Sequence, residues 1–307
     1  MLRKMWRYCL AVLMIVLFTA CANKLVVGTF NIDVKAPNNL VSDQRELLAA
    51  HGVEIFGIQE VDVNLPRYDQ AVYDPFTDFV VSTYKDGYFG MSIAKKGEGG
   101  YGNGVVSAFA LQEKSVTELY GAAQADQALQ QEIYATYKLW DMSDPAFKAA
   151  MDKMWSKEGA MAKGGIEPRT YSRVVFEKDG KRIAFYSTHL SVESATVRTE
   201  QLKELKIALD NDLVEYKIMV GDFNTDKGTN EYDIFTSAGY KIANGHNDTW
   251  YNTVSKDEKA RVGMGIDANV RYLDNIIVSA NISINYVQMI NTTLSDHNPL
   301  IAGLTLN

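Results

Sequence analysis

The sequence has little cysteine, little proline and no excess of basic side chains, and each shortage excludes a class of protein. Two cysteines in 307 residues are too few for a disulfide scaffold, and six prolines are too few for a proline-rich rod. A formal charge of −7 argues mildly against a broad basic surface. A hydrophobic content of 47% excludes a disordered chain. A globular protein with a large core remains, and at this length one large domain fits as well as two smaller ones.

The first 21 residues have the features of an export signal. Three basic residues lie within the first seven positions, an apolar run covers Tyr8 to Phe18, and small residues precede Cys21. The run is shorter than the about 20 apolar residues that a membrane helix needs. Residues 1–20 are therefore predicted to be a signal peptide, followed by one domain over residues 21–307.

The segment from Phe18 to Cys21, with the sequence FTAC, resembles a bacterial lipobox, in which the signal is cut before the cysteine. The resemblance implies that Cys21 is acylated and anchors the protein to a membrane of the bacterial cell envelope. An ordinary secretory signal with an incidental cysteine is the alternative. Both interpretations predict an exported protein.

From residue 24 onward, short apolar runs bounded by turn residues alternate with helical stretches, which predicts a single α/β domain. Helices are predicted over Ser42–Ala50, with Ser42 as its cap, and over Ser191–Leu209. The predicted strands are Leu25–Phe30, Val53–Ile58, Val105–Leu111, Tyr171–Glu177, Arg182–Thr188, Lys217–Val220, Asn275–Val278 and Ile282–Met289.

Residues 113–165 break this alternation and predict an insertion of two amphipathic helices. Ser143, Asp144 and Pro145 mark the start of the second helix. One interpretation is a hairpin that packs on the domain, and the other is a lid or membrane-facing element near the active site. The two apolar stripes are Leu129, Ile133, Tyr137 and Trp140, and then Phe147, Ala150, Met151, Met154 and Trp155.

Polar side chains follow or precede many of the predicted strands. Strand ends in α/β sheets meet at one edge, so these side chains are expected to point into a common crevice. Singly, each fits a turn or cap residue, but together the carboxylates would repel one another unless a cation lay among them. Oxygen ligands of this kind suit Mg²⁺, Mn²⁺ or Ca²⁺. The residues are Asn31, Asp33, Glu60, His189, Asp222, Asn224, Asp274, Asp296 and His297.

Eight short motifs follow one another along the chain, in the order TFNID, GIQE, YGNGVVS, EPR, STHL, GDFN, YLDNIIVS and SDHNPL. With these motifs the chain resembles the endonuclease/exonuclease/phosphatase superfamily, which has the deoxyribonuclease-I-like fold. The resemblance extends from about Thr29 to Leu300 and implies a four-layer α/β sandwich of two packed mixed sheets flanked by helices, here with a helical insertion. It also implies Mg²⁺-dependent hydrolysis of phosphate esters.

The resemblance also implies a metal shell for these residues. Glu60 matches the principal metal ligand of the superfamily. Asn31 and Asp296 match positions nearby in the metal shell, and Asp33 matches a less constant contributor. The implied ion is Mg²⁺, with Mn²⁺ or Ca²⁺ as alternatives.

Four other residues match the groups that act on water and phosphate. His297, paired with Asp274, matches the base that activates the attacking water. A histidine held by a carboxylate is fixed in one tautomer, and general base catalysis contributes about 10²–10⁴-fold. Asp222 and Asn224 match residues that orient the nucleophile and contact the scissile phosphate.

His189 matches the second histidine of the deoxyribonuclease and sphingomyelinase branches, and Glu167 matches the acid that orients it. The two histidines favour a phosphodiesterase over an abasic-site repair enzyme. A nuclease for external nucleic acid and a phosphodiesterase for phospholipid or sphingomyelin head groups both stay open. A non-catalytic surface binding protein on the same scaffold is a further alternative. We expect a monomer.

Overall fold

Two six-stranded mixed sheets pack face to face at the centre of the computed structural model of the protein. The predicted signal peptide and Cys21 lie outside the described residues, so the predictions about them stay predictions. Within the described part of the chain, no helix has both the length and the apolar character to cross a membrane. The structure describes residues 23–34, 40–66, 72–121, 126–141, 143–225, 229–245, 247–251 and 270–307.

The first sheet contains one parallel pair of strands, Lys24–Asn31 (β1) and Ile55–Val63 (β2), and its other described neighbours are antiparallel. Helix α1 (Val41–Ala50) connects the parallel pair on the outer face, where Leu48 packs in a cluster with Phe56. The strands lie in the order Ile282–Met289 (β15), Leu300–Leu306 (β16), Lys24–Asn31 (β1), Ile55–Val63 (β2), Gly100–Ser107 (β6) and Asp86–Ala94 (β5).

The second sheet also contains one parallel pair of strands, Lys181–His189 (β9) and Tyr216–Asp222 (β10). Helix α5 (Ala195–Asn211) connects them on the opposite outer face, where Leu205 packs with Tyr186 and Met219. The strands lie in the order Lys241–Ile242 (β11), Asp274–Val278 (β14), Tyr216–Asp222 (β10), Lys181–His189 (β9), Thr170–Lys178 (β8) and Gln112–Glu118 (β7).

Short elements complete the described part of the fold. Two small ribbons pair Leu65–Pro66 (β3) with Val72–Tyr73 (β4), and Trp250–Tyr251 (β12) with Val270–Arg271 (β13). The remaining helices are Pro75–Phe79 (α2), Gln127–Lys138 (α3), Pro145–Trp155 (α4) and Asp233–Thr236 (α6).

The main core lies between the two sheets, because the central strands present apolar side chains to each other. Leu25 and Ile55 of the first sheet share this core with Phe185 and Ile218 of the second. With a helix layer outside each sheet, the four-layer α/β sandwich implied by the resemblance is confirmed. Burial of these side chains stabilises the fold by roughly 1.5–3 kcal/mol each.

The sheets approach each other closely at Gly57. A Cβ atom at this position would lie 2.6 Å from both Ser187 Oγ and Val220 Cγ2 of the facing sheet. Contacts this short do not occur between carbon and its neighbours in well-packed interiors, so the sequence needs glycine there. The residue therefore sets the spacing of the sandwich near the strand ends.

Several boundaries differ from those that the sequence predicts. The strand expected over residues 105–111 runs from Gly100 to Ser107, and the chain leaves the sheet at residue 108. Ser42 is not the cap of α1, which begins one residue earlier at Val41; its hydroxyl donates to Glu46 Oε1 within the helix instead. The strands β5, β7 and β16 were not expected.

The predicted insertion over residues 113–165 is wrong at its start. Residues 112–118 form β7, which pairs antiparallel with β8 at the edge of the second sheet. The two expected helices are present as α3 and α4, and Asp144 caps α4 as its sequence predicts. Their buried side chains Ile133, Tyr137 and Met154 pack against Ile93 of β5. We call residues 126–165 without residue 142 the helical insert.

Candidate active site

The carboxyl ends of both parallel strand pairs meet at one edge of the sandwich, beside a cavity of about 710 Å³. Asn31 ends β1, His189 ends β9 and Asp222 ends β10. Strand β14 runs antiparallel to β10 and starts at this edge, so its first residue, Asp274, lies opposite Asp222. The topology therefore brings together residues that are far apart in the sequence.

Glu60 points into this cavity because β2 is irregular at that residue. The register between β2 and β6 shifts between Ile58 and Val61, and the backbone φ of Glu60 is 61°. A left-handed backbone costs a residue with a side chain roughly 1–2 kcal/mol. In return, the Glu60 carboxylate accepts hydrogen bonds from Val34 N at 3.0 Å and Asn31 Nδ2 at 3.1 Å. The bulge thus aims the carboxylate at the strand ends.

Asn31 joins the acids of the two sheets. Its buried Nδ2 donates to Glu60 Oε1 and to Asp222 Oδ2, each at 3.1 Å, and its Oδ1 accepts from Asp33 N at 3.1 Å. Asp33 has a φ of 60° and so also has a left-handed backbone. Among the described residues that line the cavity, Asp33 does not occur. The backbone N–H of Asp33 fixes the Asn31 side chain. A role of the Asp33 carboxylate in the metal shell stays a prediction.

His297 and Asp274 form a buried pair, as the sequence predicts. His297 Nδ1 lies 2.7 Å from Asp274 Oδ2, and His297 N donates to Ser295 Oγ at 3.0 Å. Burial lowers the pKa of the His297 imidazole. The negative charges of Asp274, Asp222 and Asp296 together outweigh this effect and raise the pKa to about 10. The ring nitrogen Nε2 points toward Asp222 Oδ2, 3.6 Å away. The imidazole is therefore held from one side with its second nitrogen facing the other acids.

Asp222 and Asn224 form a tight turn after β10. Asn224 N donates to Asp222 Oδ1 at 2.9 Å, and Asn224 Nδ2 donates to Leu190 O at 2.9 Å. Burial and the neighbouring Asp274 raise the pKa of Asp222 above its usual range. Asn224 is a third residue of the site with a left-handed backbone, at a φ of 49°. Both side chains line the cavity.

The predicted hydrogen bond between Glu167 and His189 is not formed. Glu167 Oε1 accepts from Tyr137 Oη at 2.5 Å, and Oε2 accepts from Arg169 Nη2 at 2.8 Å, so both carboxylate oxygens have other partners. His189 Nδ1 is buried with no hydrogen-bond partner within the described part of the chain. His189 Nε2 lies 3.5 Å from Asp222 Oδ2. Burial, together with the charges of Arg169 and His297, lowers the pKa of His189 well below its usual value.

Arg169 is a site residue that the sequence analysis missed. Its side chain is buried and lines the cavity, yet its Nε and Nη1 atoms have no hydrogen-bond partner among the described residues. Unpartnered N–H groups of a buried guanidinium suit an oxyanion, because arginine stays charged and its hydrogen bonds to phosphate are strong. The signal was the position of Arg169 in the EPR motif, directly before β8.

Glu60, Asn31 and Asp296 fit a divalent cation. Burial and the negative charge of Asp296 raise the pKa of Glu60 to about 7, whereas a cation between the two acids would favour both carboxylates. A hydrogen bond fixes the Asp296 carboxylate, since Trp250 Nε1 donates to Asp296 Oδ2 at 3.2 Å. Side-chain oxygens are the donors that Mg²⁺ and Ca²⁺ prefer.

A second group of ligands lies beside the first. Asp222, Asp274 and His297 each offer one atom, and these atoms lie within 4.8 Å of one another. However, Asp274 Oδ2 and His297 Nδ1 already hold each other at 2.7 Å. A metal on those two atoms would break this pair.

The helical insert forms one wall of the cavity. Tyr137 belongs to α3, Trp140 lies just after that helix, and Met151 and Trp155 belong to α4. The insert thus packs on the domain and also borders the active site. The two interpretations of its sequence are compatible.

Comparisons with known proteins agree with this geometry. The model of the Endonuclease/Exonuclease/phosphatase family matches residues 28–297. Similar solved structures include a family protein from Bacteroides thetaiotaomicron, with a TM-score of 0.61, 17% identity, and coverage of 92% of this chain and 98% of the other. No sequence among the curated proteins matches the chain.

Two further similar structures have more specific descriptions. One is a mannosyl-6-phosphatase from Bacteroides thetaiotaomicron, with a TM-score of 0.59, 18% identity, and coverage of 92% of this chain and 99% of the other. The other is TDP2 of D. rerio with a single-stranded DNA product, with a TM-score of 0.58, 16% identity, and the same coverages of 92% and 99%. At these identities the likeness establishes the fold.

Proposed function

Because the chain belongs to the endonuclease/exonuclease/phosphatase family, we propose that it is a metal-dependent phosphoesterase that hydrolyses phosphodiesters. One observation carries the proposal: the buried pair of His297 and Asp274, at 2.7 Å, lies in the same cavity edge as Glu60, Asn31 and Asp222. A base, a set of oxygen ligands and donors for an oxyanion are the parts that phosphoryl transfer to water requires.

Glu60, Asn31 and Asp296 would hold the divalent cation, for which we propose Mg²⁺. Bound there, the cation supplies Lewis-acid stabilisation of negative charge on the phosphate. It would also offset the carboxylates that raise the pKa of His297, which favours the neutral imidazole that a base requires.

His297 is positioned to take a proton from the attacking water. Asp274 fixes its Nδ1, so the proton is accepted at Nε2, on the side where Asp222 lies. Asp222 and Asn224 orient the water and the phosphate, since the turn between them holds both side chains at the cavity wall. In-line attack depends on this positioning, which supplies much of the acceleration in phosphoryl transfer.

Arg169 and His189 serve the other side of the phosphate. The free Nε and Nη1 groups of Arg169 donate to non-bridging oxygens, whose charge grows during the reaction. His189 is neutral at pH 7 because its pKa is lowered, so it donates a hydrogen bond without adding a positive charge. Glu167 fixes the guanidinium of Arg169 rather than the imidazole of His189.

The central test is hydrolysis of bis-p-nitrophenyl phosphate by the purified chain with Mg²⁺. We expect EDTA to abolish turnover and His297→Ala to lower kcat by about 10²–10⁴-fold, the usual contribution of a general base. His51→Ala is the matched control, because His51 is not among the described residues that line the cavity and its ring bonds Leu47 O at the end of α1. No turnover of diesters, monoesters, DNA, RNA or lipids would contradict the proposal.

The metal ligands are tested by calorimetry with Mg²⁺ or Mn²⁺. We expect Glu60→Gln to weaken metal binding at least about tenfold, as loss of a carboxylate ligand removes its charge. We expect Asp222→Asn to keep metal affinity and lose activity. If Asp222→Asn weakened metal binding and Glu60→Gln did not, the cation would be assigned to Asp222, Asp274 and His297.

We also propose that the protein is exported and anchored to a bacterial membrane through Cys21. The cationic start, the apolar run and the small residues before Cys21 support this proposal. Labelling of growing cells with radioactive palmitate should mark the protein, and Cys21→Ser should abolish the label. A processed but unlabelled protein would instead indicate an ordinary secretory signal.

A further inference from the structure

The cavity at the active site has room for more than a phosphate group. Its volume of about 710 Å³ lies within the roughly 300–1,000 Å³ that is typical of sites for small organic ligands. The polar groups described above lie at the strand ends. The cavity is also bordered by Trp140, Met151 and Trp155 of the helical insert and by Val192, which we call the apolar wall.

Two members of the apolar wall are exposed although they are large and hydrophobic. Trp155 is 45% exposed and Val192 is 48% exposed. The insert does not need them for its own packing, because Ile133, Tyr137 and Met154 already bury its inner face. Single exposed apolar side chains are common on protein surfaces, whereas several that border one cavity indicate a binding surface.

The described charges around the cavity disfavour a polyanion. Among the residues that the structure describes, the two cations that line it are each paired with a carboxylate: Lys95 with Asp62 at 2.7 Å and Arg169 with Glu167 at 2.8 Å. Lys95 Nζ also lies 3.2 Å from the centroid of the Trp140 ring. A nucleic-acid strand needs a series of available cations along its backbone. The acids that line the cavity are Glu60, Asp152, Glu167, Asp222 and Asp296.

We propose that the apolar wall binds an apolar group esterified to the scissile phosphate. The substrate is then a phosphate ester with one phosphate and a hydrophobic alkyl or aryl substituent. The inference rests on the proposed function, since that function places the phosphate at the strand ends. Trp155 and Met151 are the residues that set this preference, because they are the members of the wall contributed by α4.

Phosphonates test the pocket without turnover, because each carries a single substituent. We expect calorimetry with Mg²⁺ to show hexylphosphonate or phenylphosphonate binding at least about tenfold more tightly than methylphosphonate, since each buried methylene contributes about fourfold. Tighter binding of the hexyl compound indicates a lipid-like substituent, and tighter binding of the phenyl compound indicates an aryl group.

Trp155→Ala should reduce this ratio of dissociation constants several-fold, and Met151→Ala is a second variant should Trp155→Ala not fold. Leu139→Ala is the matched control, since Leu139 is 58% exposed on the same insert but does not line the cavity. Equal binding of the three phosphonates, an unchanged ratio in both wall variants, or tighter binding of a trinucleotide would overturn the inference. Failure of diester hydrolysis with an intact phosphonate preference would overturn the proposed function alone.

Discussion

Asp274 connects sheet register to chemistry at the scale of a single residue. It is the first residue of β14 and lies opposite Asp222 of β10, so the strand pairing decides which acid meets His297. Its Oδ2 holds His297 Nδ1, while its Oδ1 is buried with no hydrogen-bond partner among the described residues. A buried carboxylate with one unsatisfied oxygen costs stability.

Asp274→Asn tests the pair with His297. We expect kcat to fall by about 10²–10⁴-fold, because a neutral amide neither stabilises the imidazolium nor selects the correct tautomer. We also expect the melting temperature to fall, since the change leaves the other partner of a buried pair uncompensated. Asp233→Asn in the exposed start of α6 is the control for a neutralised acid. Full activity in Asp274→Asn would contradict the base assignment.

The sequence predicted most residues of the site but not all of their contacts. Glu60 and His297 were predicted because acids and histidines after apolar strands are visible in a single sequence. The partner of Glu167 was mispredicted, because the hydroxyl that binds it comes from Tyr137, 30 residues away in the insert. Arg169 was missed because only the glutamate of the EPR motif was given a role.

At the scale of secondary structure, burial decides which strands the sequence reveals. The central strand β10 is almost entirely buried and reads as an apolar run. The edge strand β7 is exposed along its whole length, with the sequence QEKSVTE, so hydrophobicity gives no signal for it. Its pairing with β8 is a tertiary effect. The helices of the insert were predicted because each buries one apolar stripe.

The helical insert also reaches the site through a hydrogen-bond chain. Tyr137 Oη of α3 donates to Glu167, and Glu167 holds Arg169 at the cavity. The geometry of the phosphate site therefore depends on an element outside the two sheets. Hydrogen bonds to charged groups contribute about 1.5–3 kcal/mol.

Tyr137→Phe removes the first link of this chain and leaves the ring in place. We expect kcat/KM for bis-p-nitrophenyl phosphate to fall about tenfold or more, mainly through KM, because Arg169 is less well fixed for phosphate binding. Tyr134→Phe in the same helix is the control, since Tyr134 does not line the cavity. An equal loss in both variants would show a general effect on the insert rather than a link to Arg169.

At the scale of the whole molecule, the site exists because two similar sheets are packed at a fixed distance. Each sheet contributes one parallel pair, and Asn31 of the first sheet bonds Asp222 of the second at 3.1 Å. A change in the spacing of the sheets would alter this contact before it altered the core. Gly57 lies at a point of close approach between them.

Gly57→Ala is therefore expected to lower the free energy of unfolding by about 1–3 kcal/mol, the usual cost of overpacking a core. Denaturation with guanidinium chloride measures this change, and kcat should fall as the sheets move apart. Gly245→Ala is the control, because a Cβ atom there meets no atom within 4 Å. Unchanged stability in Gly57→Ala would show that the sandwich adjusts without strain.

The left-handed backbone of Asp33, Glu60 and Asn224 has a consequence for the stability of the protein. Glycine would adopt a positive φ at lower cost, and the difference is largest at Glu60, because Asp and Asn enter this region more readily than Glu. The Glu60 side chain therefore favours the geometry of the site at the expense of stability. Replacing Glu60 with glycine would therefore produce an inert protein that is harder to unfold than its parent.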